Sequence, residues 1–98
     1  MSQSFARSNA LHPSTAKALY SLARALRPEM IIEPGTNWGY ATTYLAAAVA
    51  DSGSGRVWSF HLWAQAGQCI PNSLRPFVQL MSGELTQKEC YRRRGEMV

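Results

Sequence analysis

A short apolar run, Met30-Ile31-Ile32, is followed at once by Glu33-Pro34-Gly35-Thr36-Asn37-Trp38-Gly39 and then by a helical stripe at Ala41, Tyr44, Leu45, Ala48 and Val49. This order constrains the fold more than any other feature. A strand, a loop with glycines at two nearby positions and a helix that packs back on the strand form the first half of a βαβ unit. The second half follows the polar turn Asp51 to Gly55, where Val57 to Leu62 (VWSFHL) reads as another strand, rich in β-branched and aromatic residues. The crossover between such strands is right-handed. Met30 to Ile32, apolar without alternation, is expected to be buried on both faces, as parallel sheets require.

The flanking segments extend this unit. Pro13 suits a first helical position, because its missing N–H would have had no partner there. His12 is then the residue at the helix start. A helix from about Ser14 places Ala16, Leu19, Leu22, Ala23 and Leu26 on one face and Lys17, Arg24 and Arg27 on the other, and Pro28 ends it. After the second strand, AQAGQCIPNSLRP is mainly a connection with at most a short helical turn. Phe77 to Met81 (FVQLM) reads as a third strand, and the polar remainder signals a final helix only weakly. The expected organisation is one α/β domain: an N-terminal arm over 1–13, a βαβ core over 14–85 and a tail over 86–98. Its sheet has about three parallel strands with flanking helices, a truncated Rossmann-like (doubly wound) arrangement.

Composition narrows the function classes. A chain of 98 residues with 46% hydrophobic letters and ten aromatic residues builds one modest core. A net charge of +4 favours solubility without demanding a polyanion, and Arg92-Arg93-Arg94 near the chain end reads as a solvated terminus rather than a nucleic-acid face. The longest apolar stretch, Leu45 to Ala50, falls far short of the roughly 20 residues that cross a bilayer. The first residues lack the apolar core of a secretory signal, so a cytoplasmic location is expected. Cys69 and Cys90 have neither a paired motif nor a histidine cluster, which indicates structural thiols and no metal site.

The chemistry is concentrated in the loop after the first strand. Ligands of open parallel sheets bind at the carboxyl ends of strands, beside the unpaired N–H groups of the next helix. A dinucleotide fingerprint would need glycines at 33, 35 and 38, where the chain has Glu33, Gly35 and Trp38. A phosphate loop would need a lysine after Gly39, where Tyr40 stands. A carboxylate at the strand end repels a pyrophosphate and suits a cationic ligand.

The stretch IIEPGTNWGYATTYLAAAV resembles motif I of the class I S-adenosylmethionine-dependent methyltransferases, in the E-x-G-T-x-x-G form of small-molecule O-methyltransferase-like members. The resemblance runs from about Ala18 to about Leu85 and covers the N-terminal part of that fold. It implies S-adenosylmethionine as cofactor and methyl transfer to a small-molecule acceptor. Glu33, Gly35, Thr36, Asn37, Gly39 and Tyr40 would hold the amino-acid end of the cofactor. His61 would stand where the family's second strand carries an acid for the ribose hydroxyls, and Glu84, after Gly83, on the adenine side. Two departures are plain: His61 accepts at most one hydrogen bond, and Pro34 replaces an aliphatic residue. Trp38 and Tyr40 are expected to pack the loop rather than stack on adenine. In that family a fourth strand pairs with the first, so an open edge at Met30 to Glu33 implies a homo-oligomer here. The family's acceptor pocket comes mostly from later segments, so no catalytic residue is assigned. A non-catalytic remnant acting as an oligomeric binding or scaffold protein is the alternative.

Overall fold

The computed structural model describes residues 11–83. Helix α1 spans Pro13–Leu26, with Pro13 in its first turn and His12 as its cap. The His12 ring Nδ1 accepts the Ser14 N–H at 3.2 Å, satisfying one of the unpaired donors at the helix start. At the other end Arg27 turns left-handed (φ 47°) and returns its N–H to the Ala23 carbonyl at 3.0 Å. Strand β1 (Met30–Pro34), helix α2 (Tyr40–Ser52), strand β2 (Arg56–His61), a 3₁₀ helix η1 (Asn72–Phe77) and strand β3 (Val78–Ser82) follow.

The three strands are parallel in the order β1-β2-β3, which establishes the expected α/β architecture. The register sets Glu33 opposite Ser59, Pro34 opposite Phe60, and His61 opposite Ser82. Strand limits fall close to the sequence reading. Leu62 lies past β2 and is 69% exposed, and Phe77 belongs to η1. The core forms where Ala46 and Val49 of α2 meet Val57 of β2, with Ile31, Leu45, Leu74, Phe77 and Val78 packed around them. Val57 and Phe60 are essentially sealed from solvent, each contributing about 1.5–3 kcal/mol of apolar burial. Among the described residues no helix is long and apolar enough to cross a membrane.

Two expectations of burial need correction. The α1 stripe is covered only at Ala16 and Ala23, while Leu22 and Leu26 are 59% and 68% exposed. Helix α1 leans on α2, and its C-terminal half overhangs an apolar groove of about 140 Å³ lined by Leu19, Ala23, Pro28, Ile31 and Leu45. Strand β1 is half-buried, not sealed on both faces. Among the described residues it has a neighbour on one side only.

The hydrogen bonds give that free edge its character. Arg56 N–H reaches the Glu29 carbonyl (3.1 Å) and Gly35 N–H reaches the Phe60 carbonyl (3.0 Å). In a parallel ladder alternate residues face alternate neighbours, so Met30, Ile32 and Pro34 point their backbone groups outward. Pro34 has no N–H. The edge therefore offers donors at Met30 and Ile32 alone and is blunted next to the loop.

Candidate functional site

The loop between β1 and α2 is shaped by three consecutive demands. Gly35 (φ 86°), Asn37 (φ 52°) and Gly39 (φ 95°) all take left-handed backbone conformations, which lets the chain reverse within five residues. The Gly35 and Thr36 N–H groups both donate to the Phe60 carbonyl, at 3.0 and 2.9 Å, and Gly39 N–H donates to Thr36 O at 3.0 Å. These donors are thus spent on the sheet and on the loop itself. Helix α2 then starts with no side-chain cap, and Tyr40 and Ala41 of its first turn line a cavity of about 140 Å³ together with Gly35, Thr36, Asn37 and Trp38. An uncapped helix start facing a cavity favours negative charge.

Glu33 is held beneath this loop rather than on the cavity wall. Its Oε1 accepts the hydroxyl of Thr42, in the first turn of α2, and that of Ser59, its register partner on β2, at 2.5 Å. Because Ser59 gives its one proton to the carboxylate, the buried Thr36–Ser59 contact of 2.6 Å has Thr36 as donor. A chain of hydroxyls therefore links Thr36, a wall of the cavity, to the Glu33 carboxylate through Ser59. Burial pushes the Glu33 carboxyl above its ordinary 4.5, against the opposing pull of the Ser59 and Thr42 hydroxyls.

The structure brings Gly35, Thr36, Asn37 and Tyr40 together around the cavity. Gly39 sits elsewhere: a side chain there would point at Ile70, and its role is to let residues 67–70 pack against the loop. His61 ends β2, its carbonyl accepting Gly83 N–H at 2.8 Å, and its Nδ1 is buried without a hydrogen-bond partner. Glu84 lies outside the described residues. Trp38 packs edge-on against Trp63, with ring centroids 4.9 Å apart, as a loop-packing role requires. Cys69 is exposed, and its hydrogen bond to the Tyr40 phenol, followed by its charge, pushes that phenol above its ordinary range. Among the described residues no group of three His, Cys, Asp or Glu side chains is placed to hold a metal ion.

Sequence reading missed Ser59 and Thr42. Ser59 carried one signal, a small polar residue at an inward position of an otherwise apolar strand, which is informative only once the register sets it against Glu33.

No protein-family model matches the sequence. No curated protein matches it. Solved structures do. A methyltransferase from Geobacter sulfurreducens superposes with a TM-score of 0.69 and 26% identity over 84% of this chain and 44% of that one. A candidate O-methyltransferase from Klebsiella pneumoniae gives a TM-score of 0.67 and 20% identity over 87% of this chain and 39% of the other, a likeness of fold. The chain thus spans less than half the length of either. The resemblance read from motif I holds in three dimensions: the described residues carry a three-stranded, Rossmann-like portion of the methyltransferase fold.

Proposed function

We propose that this chain binds S-adenosylmethionine at the loop 35–39 and takes part in methyl transfer to a small-molecule acceptor. The observation that carries the reading is a buried carboxylate and an uncapped helix start set on the two sides of one loop. Glu33 is anchored under the loop, and the uncapped start of α2 opens beside it. A zwitterionic amino-acid group needs both. Its ammonium is drawn to the carboxylate field and its carboxylate to the first-turn N–H groups.

The residues fit such a ligand in part. Thr36, Asn37 and Tyr40 would wall its amino-acid end. The cavity of about 140 Å³ suits one end of the ligand, since whole drug-sized ligands occupy roughly 300–1,000 Å³. When bound, S-adenosylmethionine supplies the electrophilic methyl group. The chain's own residues bind and orient it, and no described side chain is assigned to the acceptor. Titration calorimetry with S-adenosylhomocysteine is expected to show saturable heat at micromolar to millimolar ligand. No heat at millimolar ligand sinks the reading.

Self-association belongs to the same proposal. The Met30 and Ile32 edge groups and the exposed Leu22 and Leu26 make a surface that a second copy would cover. Sedimentation velocity at micromolar protein is expected to give a dimer or larger species, and a single sharp monomer boundary rejects it.

A further inference from the structure

We propose that β1 pairs antiparallel with β1 of a second copy, on a two-fold axis at Ile31, and so joins two three-stranded sheets into one continuous sheet. The inference rests on the self-association reading above and adds its surface, direction and register. It starts from the outward edge of β1. Met30 and Ile32 turn an N–H and a C=O away from β2, and Pro34 turns only a C=O. Pro28 and Pro34 stand at equal distance before and after Ile31, and neither has an N–H. The part of the edge that both donates and accepts is therefore Met30 to Ile32, centred on Ile31.

Such an edge fits itself in one register. Two copies of one edge related by a two-fold axis run antiparallel, and bonds form only where outward-facing residues stand opposite one another. With the axis at Ile31, Met30 of each copy stands opposite Ile32 of the other, and each pair exchanges both of its backbone bonds. The prolines then oppose each other beyond the ladder and end it. Sliding to the next bonding register sets Pro34 opposite Met30 in one direction and Pro28 opposite Ile32 in the other, and either puts a proline ring inside the ladder. The side chains agree. Ile31 meets Ile31 of the second copy as the close, non-hydrogen-bonded pair, and Met30 meets Ile32 on the other face; all three are half-buried in the single chain. Ile31 also lines the apolar groove bordered by Leu22 and Leu26, both largely exposed. An axis normal to the sheet keeps the two grooves on one face beside it, so apolar surface of one copy covers that of the other. The like-charged pair, Glu29 facing Glu33, falls at the ladder's ends, where Glu29 is exposed and Glu33 is held inward by Thr42 and Ser59.

Cysteine cross-linking reads the register. Met30→Cys, Ile31→Cys and Ile32→Cys are compared one at a time in a Cys69→Ser, Cys90→Ser background, under mild oxidation, with sedimentation velocity giving the oligomeric state. On the axis the paired Cα atoms lie about 4.5 Å apart, within disulfide reach, whereas residue 30 or 32 meets its own copy only on a diagonal of about 7–8 Å. Ile31→Cys is therefore expected to cross-link about 10-fold faster than the other two. Amide exchange of the wild-type chain guards against a folding defect in the cysteine variants: the Met30 and Ile32 N–H groups should exchange at least about 10-fold more slowly in the dimer than after dilution to monomer. A dimer that cross-links faster at 30 or 32, or whose Met30 and Ile32 amides stay unprotected, overturns the edge interface and leaves self-association standing. Protection of those amides in a monomer means that the edge is covered from within the chain, and overturns it too. A monomer with unprotected amides at every concentration removes the self-association reading, and the interface falls with it.

Discussion

Gly39→Ala is expected to lower the stability of this domain by about 3 kcal/mol or more, whereas Gly35→Ala, four residues earlier in the same loop, should cost about 1–2 kcal/mol. Both positions have left-handed backbone, at φ 95° and φ 86°, so both variants bear the conformational strain of a side chain at positive φ. They differ in what the new methyl group meets. At Gly35 nothing lies within 4 Å, while at Gly39 it would sit 2.6 Å from Ile70 Cγ1 and 3.1 Å from the Gly67 Cα. Ile70 is 3% exposed and cannot swing outward, and Gly67 is tied to Asn37, so the overlap is relieved only by lifting residues 67–70 off the loop. For a chain of this size each kcal/mol moves the melting midpoint by about 4–8 °C. Thermal unfolding followed by circular dichroism should therefore place Gly39→Ala at least 10 °C below wild type and clearly below Gly35→Ala. Equal midpoints for the two variants would show that the 67–70 clasp does not hold the loop in solution.

The contrast between these glycines also shows where the sequence is legible. Both were read as cofactor-loop residues from one local pattern, strand then E-x-G-x-x-x-G then helix, and that pattern sufficed to place the loop, the strand before it and the helix after it. It could not tell that Gly39 answers to Ile70, thirty-one positions later, because close approach between distant segments leaves no periodic trace. The same limit explains α1. Its spacing identified an apolar stripe, yet which part of the stripe is covered depends on how the helix leans on α2, through contacts such as Arg27 to the Ser52 carbonyl at 3.0 Å and Tyr20 to Asp51. Residues 64–76 were read as mainly a connection, since the value of their first part lies in two backbone amides that reach Asn37 and Trp38. Glu33 was legible as an acid at a strand end, but its partners Ser59 and Thr42 required the strand register and the helix start.

That partnership gives Glu33→Gln two effects of opposite sign. At neutral pH the variant should be more stable than wild type, because a glutamine carbonyl still accepts both hydroxyls while the cost of keeping a desolvated charge disappears. The pH dependence follows from the direction of the shift. With the folded carboxyl titrating above its ordinary 4.5, the native state holds its proton more tightly than the unfolded chain. The stability carried by that proton is fully present below about 4.5 and is lost as pH rises through the folded value. The advantage of Glu33→Gln should thus be near zero at pH 4, grow above 4.5 and level off once the native carboxyl is ionised, as read from urea unfolding across that range. Affinity should move the other way: without the negative charge beneath the loop, S-adenosylhomocysteine is expected to bind about 10-fold more weakly at pH 7, the equivalent of about 1.4 kcal/mol of lost electrostatic attraction. A variant less stable at pH 7, with no convergence at pH 4, would mean that the carboxylate serves the fold and not a ligand. Improved stability together with unchanged affinity would mean that the cation sits elsewhere. Only a gain in one quantity with a loss in the other is what a charge buried at a cost, and kept for a positively charged guest, requires.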